Sequence, residues 1–132
     1  MPRILLVSAL CFFLLACNSA STRSKGEGLK DSLDEYVASL RWSRFEKAAE
    51  YHVNKDGSRP EIDASQGEYI RVTGHSMKKK EINEALDEAR VRVELQYYHN
   101  EYGTLKKILV DQEWWYGEEQ KRWFLSSEFP KF

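Results

Sequence analysis

The chain has 132 residues with 20 basic and 21 acidic side chains, a formal charge of −1, and 42% hydrophobic residues. This is enough for one domain with a real core, and no internal repeat is present. A near-neutral balance spread evenly along the chain argues against a nucleic-acid partner, which would call for a basic face.

The first segment, "ILLVSALCFFLLAC", follows a lone Arg3 and runs apolar from Ile4 to Ala16 with Ser8 as its polar interruption. As a helix it would reach about 20 Å, short of the roughly 30 Å hydrocarbon core, so it reads as a secretory signal and not a membrane span. Its end, Leu14-Leu15-Ala16-Cys17, resembles the bacterial lipoprotein signal, the lipobox, at all four positions. That resemblance implies removal of residues 1–16 and acylation of Cys17, on sulfur and on the new amino group. Several acyl chains make such an anchor stable where one binds reversibly. Cys11 would leave with the signal and Cys17 would be a thioether, so the remainder holds no cysteine for a disulfide and the fold must stand on its core. Asn18 is not the aspartate that resembles an inner-membrane retention mark, which implies the outer membrane, facing the periplasm. Loss of Arg3 with the signal would take the formal charge to −2.

Residues 18–28, "NSASTRSKGEG", are small and polar, so residues 17–28 read as the lipidated cysteine and a flexible tether, and residues 29–132 as a single domain. Two short helices are expected next. Ser32 with Glu35, and Ser43 with Glu46, each fit a capping box. Leu33, Tyr36, Val37 and Leu40 form one apolar stripe, and Phe45, Ala48, Ala49 and His52 form another out of phase with it, which places a bend at Arg41-Trp42-Ser43. Asn54, Gly57 and Pro60 then break the helix and open a loop to Gly67.

The rest reads as four strands. The segment from about Tyr69 to Ile82 alternates at Ile70 and Val72 and loses phase at Lys78-Lys79-Lys80. Ala89, Val91, Val93, Leu95 and Tyr97 then alternate with Arg90, Arg92, Glu94, Gln96 and Tyr98. After a turn at "HNEYG", a strand over Leu105 to Tyr116 puts Ile108, Val110, Trp114 and Tyr116 on one face and Leu109, Asp111, Glu113 and Trp115 on the other. Setting Leu95 opposite Ile108 and Val93 opposite Val110 pairs Arg92 with Asp111 and Arg90 with Glu113, so one register satisfies both faces. A last hairpin through "GEEQK" sets Trp114 opposite Leu125 and Tyr116 opposite Trp123, leaving Trp115 beside Phe124 outside.

The expected fold class is therefore α+β: a bent N-terminal helix pair on a curled four-stranded antiparallel sheet. The stretches "SLRWSRFEKAAEYHV" and "VRVELQYYHNEYGTLKKILVDQEWWYGEEQKRWFLSSEFPKF" resemble a group of uncharacterised bacterial lipoproteins with a cystatin-like or nuclear-transport-factor-2-like cone. The resemblance implies that fold and an envelope location, and it carries no catalytic residues. Enzymes of that superfamily project acid–base groups into the cone, so fold alone assigns no activity.

The chemistry-bearing residues are sparse. His52, His75 and His99 have no metal-like spacing, and no phosphate-binding glycine loop, nucleophile elbow or cysteine–histidine couple occurs, so no metal, cofactor or catalytic residue is assigned. Gln112, Tyr97 and His99 would serve acid–base chemistry only if they met at a cavity mouth. Lys78-Lys79-Lys80 read as protection of a sheet edge. Trp114, Tyr116, Trp123 and Tyr97 are expected in the core. Alternation turns Tyr98, Leu109, Trp115 and Phe124 to the opposite face, where an apolar patch would meet an envelope protein or a second copy, unless helices, the 59–67 loop or the tether cover it. The sequence thus supports a lipid-anchored periplasmic binding or protein-interaction module without catalysis, the alternative being a small-ligand-binding or acid–base enzymatic cone.

Overall fold

A computed structural model describes residues 24–132. The signal segment, Cys17 and tether residues 18–23 lie outside the described residues. Helix α1 covers residues 24–41 and α2 covers Phe45–Ala49. A 3-10 turn at Ala64–Glu68 precedes strands β1 (Ile70–Ile82), β2 (Glu88–His99), β3 (Lys106–Gly117) and β4 (Arg122–Leu125), which pair in that order as one open antiparallel sheet. The α+β class and the meander are as expected.

α1 begins earlier than the composition of residues 24–28 suggests. Those residues read as tether, yet they form helix because Leu29, fully buried, extends the stripe of Leu33, Tyr36, Val37 and Leu40 by one turn. Each glycine in that turn costs up to about 1 kcal/mol relative to alanine. The turn is held against the β3–β4 hairpin: Trp123 Nε1 donates to the Lys25 carbonyl at 2.9 Å, and Lys25 Nζ reaches Glu118 at 2.7 Å. A Cβ on Gly28 would stand 3.8 Å from the Trp123 indole, so the ring lies against the helix there. Ser32 consequently sits inside the helix and caps nothing.

The second capping box also does not form. Ser43 adopts φ 58°, and the Ser43 and Arg44 amides donate to the carbonyls of Leu40 and Ser39 at 3.2 and 2.8 Å. This is a Schellman ending with serine in the left-handed position usually given to glycine. Ser43 therefore terminates α1 instead of starting α2, whose N-cap, Arg44, makes no side-chain cap bond. Its hydroxyl accepts from Arg71 Nη1 at 3.2 Å. The left-handed residue resets the helix phase, which is why the two apolar stripes do not share one rotation.

Both hairpin registers are as expected, β2–β3 from its charge pairs and β3–β4 from its pattern of large apolar residues. Leu95 faces Ile108, Val93 faces Val110, Arg92 faces Asp111 and Arg90 faces Glu113. Arg92 binds Asp111 through two bonds of 2.6 and 2.9 Å. Trp114 pairs with Leu125, Trp115 with Phe124 and Tyr116 with Trp123. In β1 the lost phase has a structural cause: the register shifts between Val72 and Gly74 and again between Met77 and Lys79. Each irregularity turns the following residues to the other face.

The two sheet edges differ. Along β4, the Leu125 amide donates to the Tyr51 carbonyl at 2.7 Å and the Val53 amide donates to the Leu125 carbonyl at 3.0 Å, so residues 51–53 add a short parallel bridge centred on His52 and Leu125. Along β1 no backbone partner is present among the described residues, and its exposed stretch carries Lys78, Lys79 and Lys80, as edge protection requires.

Candidate functional site

The face of the sheet toward the helices is filled by side chains. Tyr36 from α1 stands edge-on to Tyr51 and Trp114, with ring centroids 5.9 Å away in each case. Residues 126–132 fold back from β4, and Phe129 packs on Phe45 and His52 at 5.7 and 5.3 Å. Phe132 packs on Phe45 and Tyr97 at 5.5 and 5.1 Å. The expected core rings Trp114, Trp123 and Tyr97 are buried, and Tyr116 is half-buried against Trp123.

Four polar groups survive in this apolar interior, one of them Ser39, whose hydroxyl donates to the Glu35 carbonyl at 2.8 Å. The ring of His52, 1% exposed, lies between the Tyr36 hydroxyl, 2.8 Å from Nε2, and the Ser127 carbonyl, 2.9 Å from Nδ1. A carbonyl can only accept, so Nδ1 carries the proton and Nε2 of the neutral ring accepts from Tyr36. Burial holds His52 below its ordinary pKa, outweighing the Ser127 bond that favours the charged ring. Burial likewise pushes the Tyr36 phenol up, so it stays protonated. Gln112 is the last, its Oε1 accepting from Trp114 Nε1 at 3.0 Å, while its Nε2 is the one buried side-chain polar atom without a partner among the described residues.

At the margin of the core, Glu35 accepts from Tyr51 at 2.6 Å and pairs with Lys47 at 2.7 Å. The Lys47 bond, then the Tyr51 bond, holds Glu35 below the usual carboxylate range. Burial, reinforced by Glu35, raises Tyr51. These groups are mutually satisfied, and neither Tyr36 nor His52 lines any of four surface clefts of 330 to 430 Å³. The pattern of the sequence placed His52 on an apolar stripe, and its partners come from α1 and from the segment after β4, a juxtaposition that spacing does not encode.

Gln112, Tyr97 and His99 do not meet. Gln112 pairs with Val91, six residues along β2 from Tyr97, a separation of about 20 Å. His99 instead lies between Tyr69 and Tyr102, with centroids at 5.9 and 4.9 Å, and His75 is exposed on β1. No group of three or more His, Cys, Asp or Glu side chains among the described residues is arranged to hold a metal ion.

The four residues expected to share an outer patch share a face but not a surface. Phe124 is buried, 5% exposed, beneath the Arg122 guanidinium, which lies 5.1 Å from its ring centre. Trp115 is half-buried against Phe124 and donates through Nε1 to the Val53 carbonyl at 2.8 Å. The covering segment therefore begins at Val53, earlier than the 59–67 loop. Leu109 is 62% exposed but stands six strand residues from Trp115, about 20 Å, with Arg92–Asp111 and Arg90–Glu113 between them. Tyr98 is half-buried, on β2 beside Arg71.

Exposed apolar rings gather instead at one end of the molecule. α1 starts beside the β3–β4 turn and ends where Ser43 meets Arg71, at the opposite end of the sheet. That far end carries Trp42, Tyr102, Leu105 and Tyr69, exposed by 75, 73, 56 and 43%. Sequence alternation missed it because all four residues lie in turns or immediately before strands, outside any periodic pattern. No known family model matches the chain, and neither a curated relative nor a solved structure matches it. No described helix is long and apolar enough to cross a membrane.

Proposed function

We propose that this protein is a lipid-anchored binding or protein-interaction module of the bacterial cell envelope, attached through an acylated Cys17 at the outer membrane and facing the periplasm. The observation that carries the interaction role is polarity along the long axis. The first described residues lie at the β3–β4 end, next to Glu118 and Trp123, whereas Trp42, Tyr69, Tyr102 and Leu105 crowd the other end. With Cys17 seven residues before Ser24, an anchor at the first end presents the exposed rings away from the membrane. Exposed clusters of this type mark contact surfaces, and aromatic side chains dominate their energetics. Tyr98 and Leu109 border that end, while Trp115 and Phe124 serve the packed opposite half. The enzymatic-cone alternative needs a hollow with accessible titratable groups, and here the hollow holds Tyr36, Trp114, Phe129 and Phe132.

Two measurements test the two halves of the reading. Cys17→Ser removes the sulfur that would take the lipid, so the variant is expected in the aqueous phase of a detergent partition while the parent enters the detergent phase. Equal partitioning of both ends the anchor reading. For the surface, Tyr102→Ser with Leu105→Ser should shift the melting temperature by no more than about 2 °C, since exposed residues contribute little to stability. The same pair should abolish the cross-links formed by a photoreactive residue at position 69 in intact cells. Undiminished cross-linking would place the contact elsewhere.

A further inference from the structure

Beyond β4 the chain leaves the sheet with few ties. The Ser126 amide donates to the Glu113 carbonyl at 2.9 Å, the Glu113 amide donates to the Ser127 hydroxyl at 3.1 Å, and the Ser127 carbonyl accepts from His52. After Ser127 the segment is held by the rings of Phe129 and Phe132 on Phe45, His52 and Tyr97. We propose that residues 126–132 are a strap which the buried Tyr36–His52 pair holds closed at neutral pH and releases on acidification, uncovering an apolar groove between Phe45 and Tyr97.

Neutral His52 has one proton, given to Ser127, and one lone pair, which takes the Tyr36 hydroxyl proton. Protonated His52 has two protons and no lone pair. The Tyr36 hydroxyl must then turn its proton away from His52, its one hydrogen-bond partner among the described residues, in a setting flanked by the rings of Tyr51 and Trp114. The new charge has no counter-ion. From α1 it is faced by the Tyr36 phenol, with Glu35 one residue away but committed to Lys47 and Tyr51. From the 45–53 segment the titratable neighbour is Tyr51. β3 and β4 contribute the neutral Trp114, Gln112 and Leu125, with Arg122 lying outside on the Tyr51 ring. From the strap come a carbonyl, the Phe129 ring and Glu128, whose exposed carboxylate is paired with Lys131 at 2.7 Å. A buried imidazolium without a carboxylate is expensive.

Opening hydrates the ring, and the element lost at least cost is the one with a single backbone bond into the sheet. The lowered His52 pKa agrees in sign: the open form binds more protons than the closed form below the ordinary imidazole value near 6.5. The opening equilibrium therefore rises by up to about tenfold per pH unit below that value and levels off once the closed form is itself protonated.

Hydrogen exchange on the full chain in detergent, expressed as protection factors to remove intrinsic pH effects, tests the strap. Between pH 7.5 and 5, protection of the Ser126 and Glu113 amides should fall by ten-fold or more, and at every pH it should lie well below that of Val93 and Leu95 in the doubly paired β2, which exchange only on global unfolding. His52→Gln, which keeps one donor and one acceptor and takes no proton, should abolish the pH dependence at Ser126 and Glu113. Constant protection of the strap amides in the parent, or strap protection equal to that of β2, overturns the proposal without any variant. So does an undiminished pH response in a folded His52→Gln protein.

Discussion

Trp123→Ala is expected to destabilise the domain by about 3–5 kcal/mol, the range for removing a large buried ring. Trp123 is 1% exposed, packs edge-on against Tyr116 at 5.5 Å, and holds the start of α1 through its bond to the Lys25 carbonyl. The loss has two parts that denaturant unfolding and circular dichroism separate. The cavity lowers the midpoint of the whole transition. Freeing the Lys25 carbonyl also exposes the two glycines of the first turn, so the helical signal should drop by about one turn before the main transition begins. Trp123→Phe retains most of the volume without the N–H donor, and should lose the turn while keeping more than half of the stability. A helix signal unchanged in both variants would show that the first turn does not depend on the hairpin.

His52→Leu has the second large effect. It leaves the Tyr36 hydroxyl and the Ser127 carbonyl without their partners, and each orphaned buried group costs about 1–3 kcal/mol. Tyr36→Phe alone removes one partner and should cost about 1–2 kcal/mol. In the double variant the Tyr36 penalty vanishes because no hydroxyl remains to be orphaned, so the two changes together should cost less than their sum by about 1 kcal/mol or more. Urea unfolding of all four proteins measures the coupling, and additivity would mean that the hydrogen bond contributes nothing. The pH profile of the parent carries the same information. With the folded pKa of His52 below the unfolded value of about 6.5, the unfolded chain binds the extra proton first. Stability is therefore full above that value and falls as the pH drops through it, a slope that His52→Leu should flatten.

The sheet was legible because two independent constraints met in it. Strand alternation alone leaves the pairing of β2 with β3 open to slips by two residues, which keep the faces correct. The opposite charges at Arg92 and Asp111, and at Arg90 and Glu113, selected one of those registers. The helices were less legible at their ends. Ser43 has the composition of an N-cap and a glutamate three residues on, but the backbone needed a left-handed residue there, and serine supplied it with its hydroxyl turned to Arg71. Likewise "SKGEG" is locally a linker, and it is helix because Leu29 is buried beside it and Trp123, nearly a hundred residues away, lies against it. The outer face was misjudged at Phe124 for a related reason. Period two assigns a side to a residue, but it cannot show that a cation from β4 itself and a loop beginning at Val53 will close over that side.

The bridge between residues 51–53 and β4 has a consequence for the order of folding. Tyr51 and Val53 bond to Leu125, and Lys25 to Trp123, so the first helix and the last strand complete one another across 98 residues in the second case. At a synthesis rate of about 5–20 residues per second, α1 waits on the order of 5–20 seconds for the strand that finishes its burial. Until then its apolar stripe meets an incomplete sheet, and a helix of this length with two glycines is marginal by itself. The growing chain is thus kept extensible until β4 has been made, and closure then joins α1 to β4 in one cooperative step whose rate is set by long-range contacts.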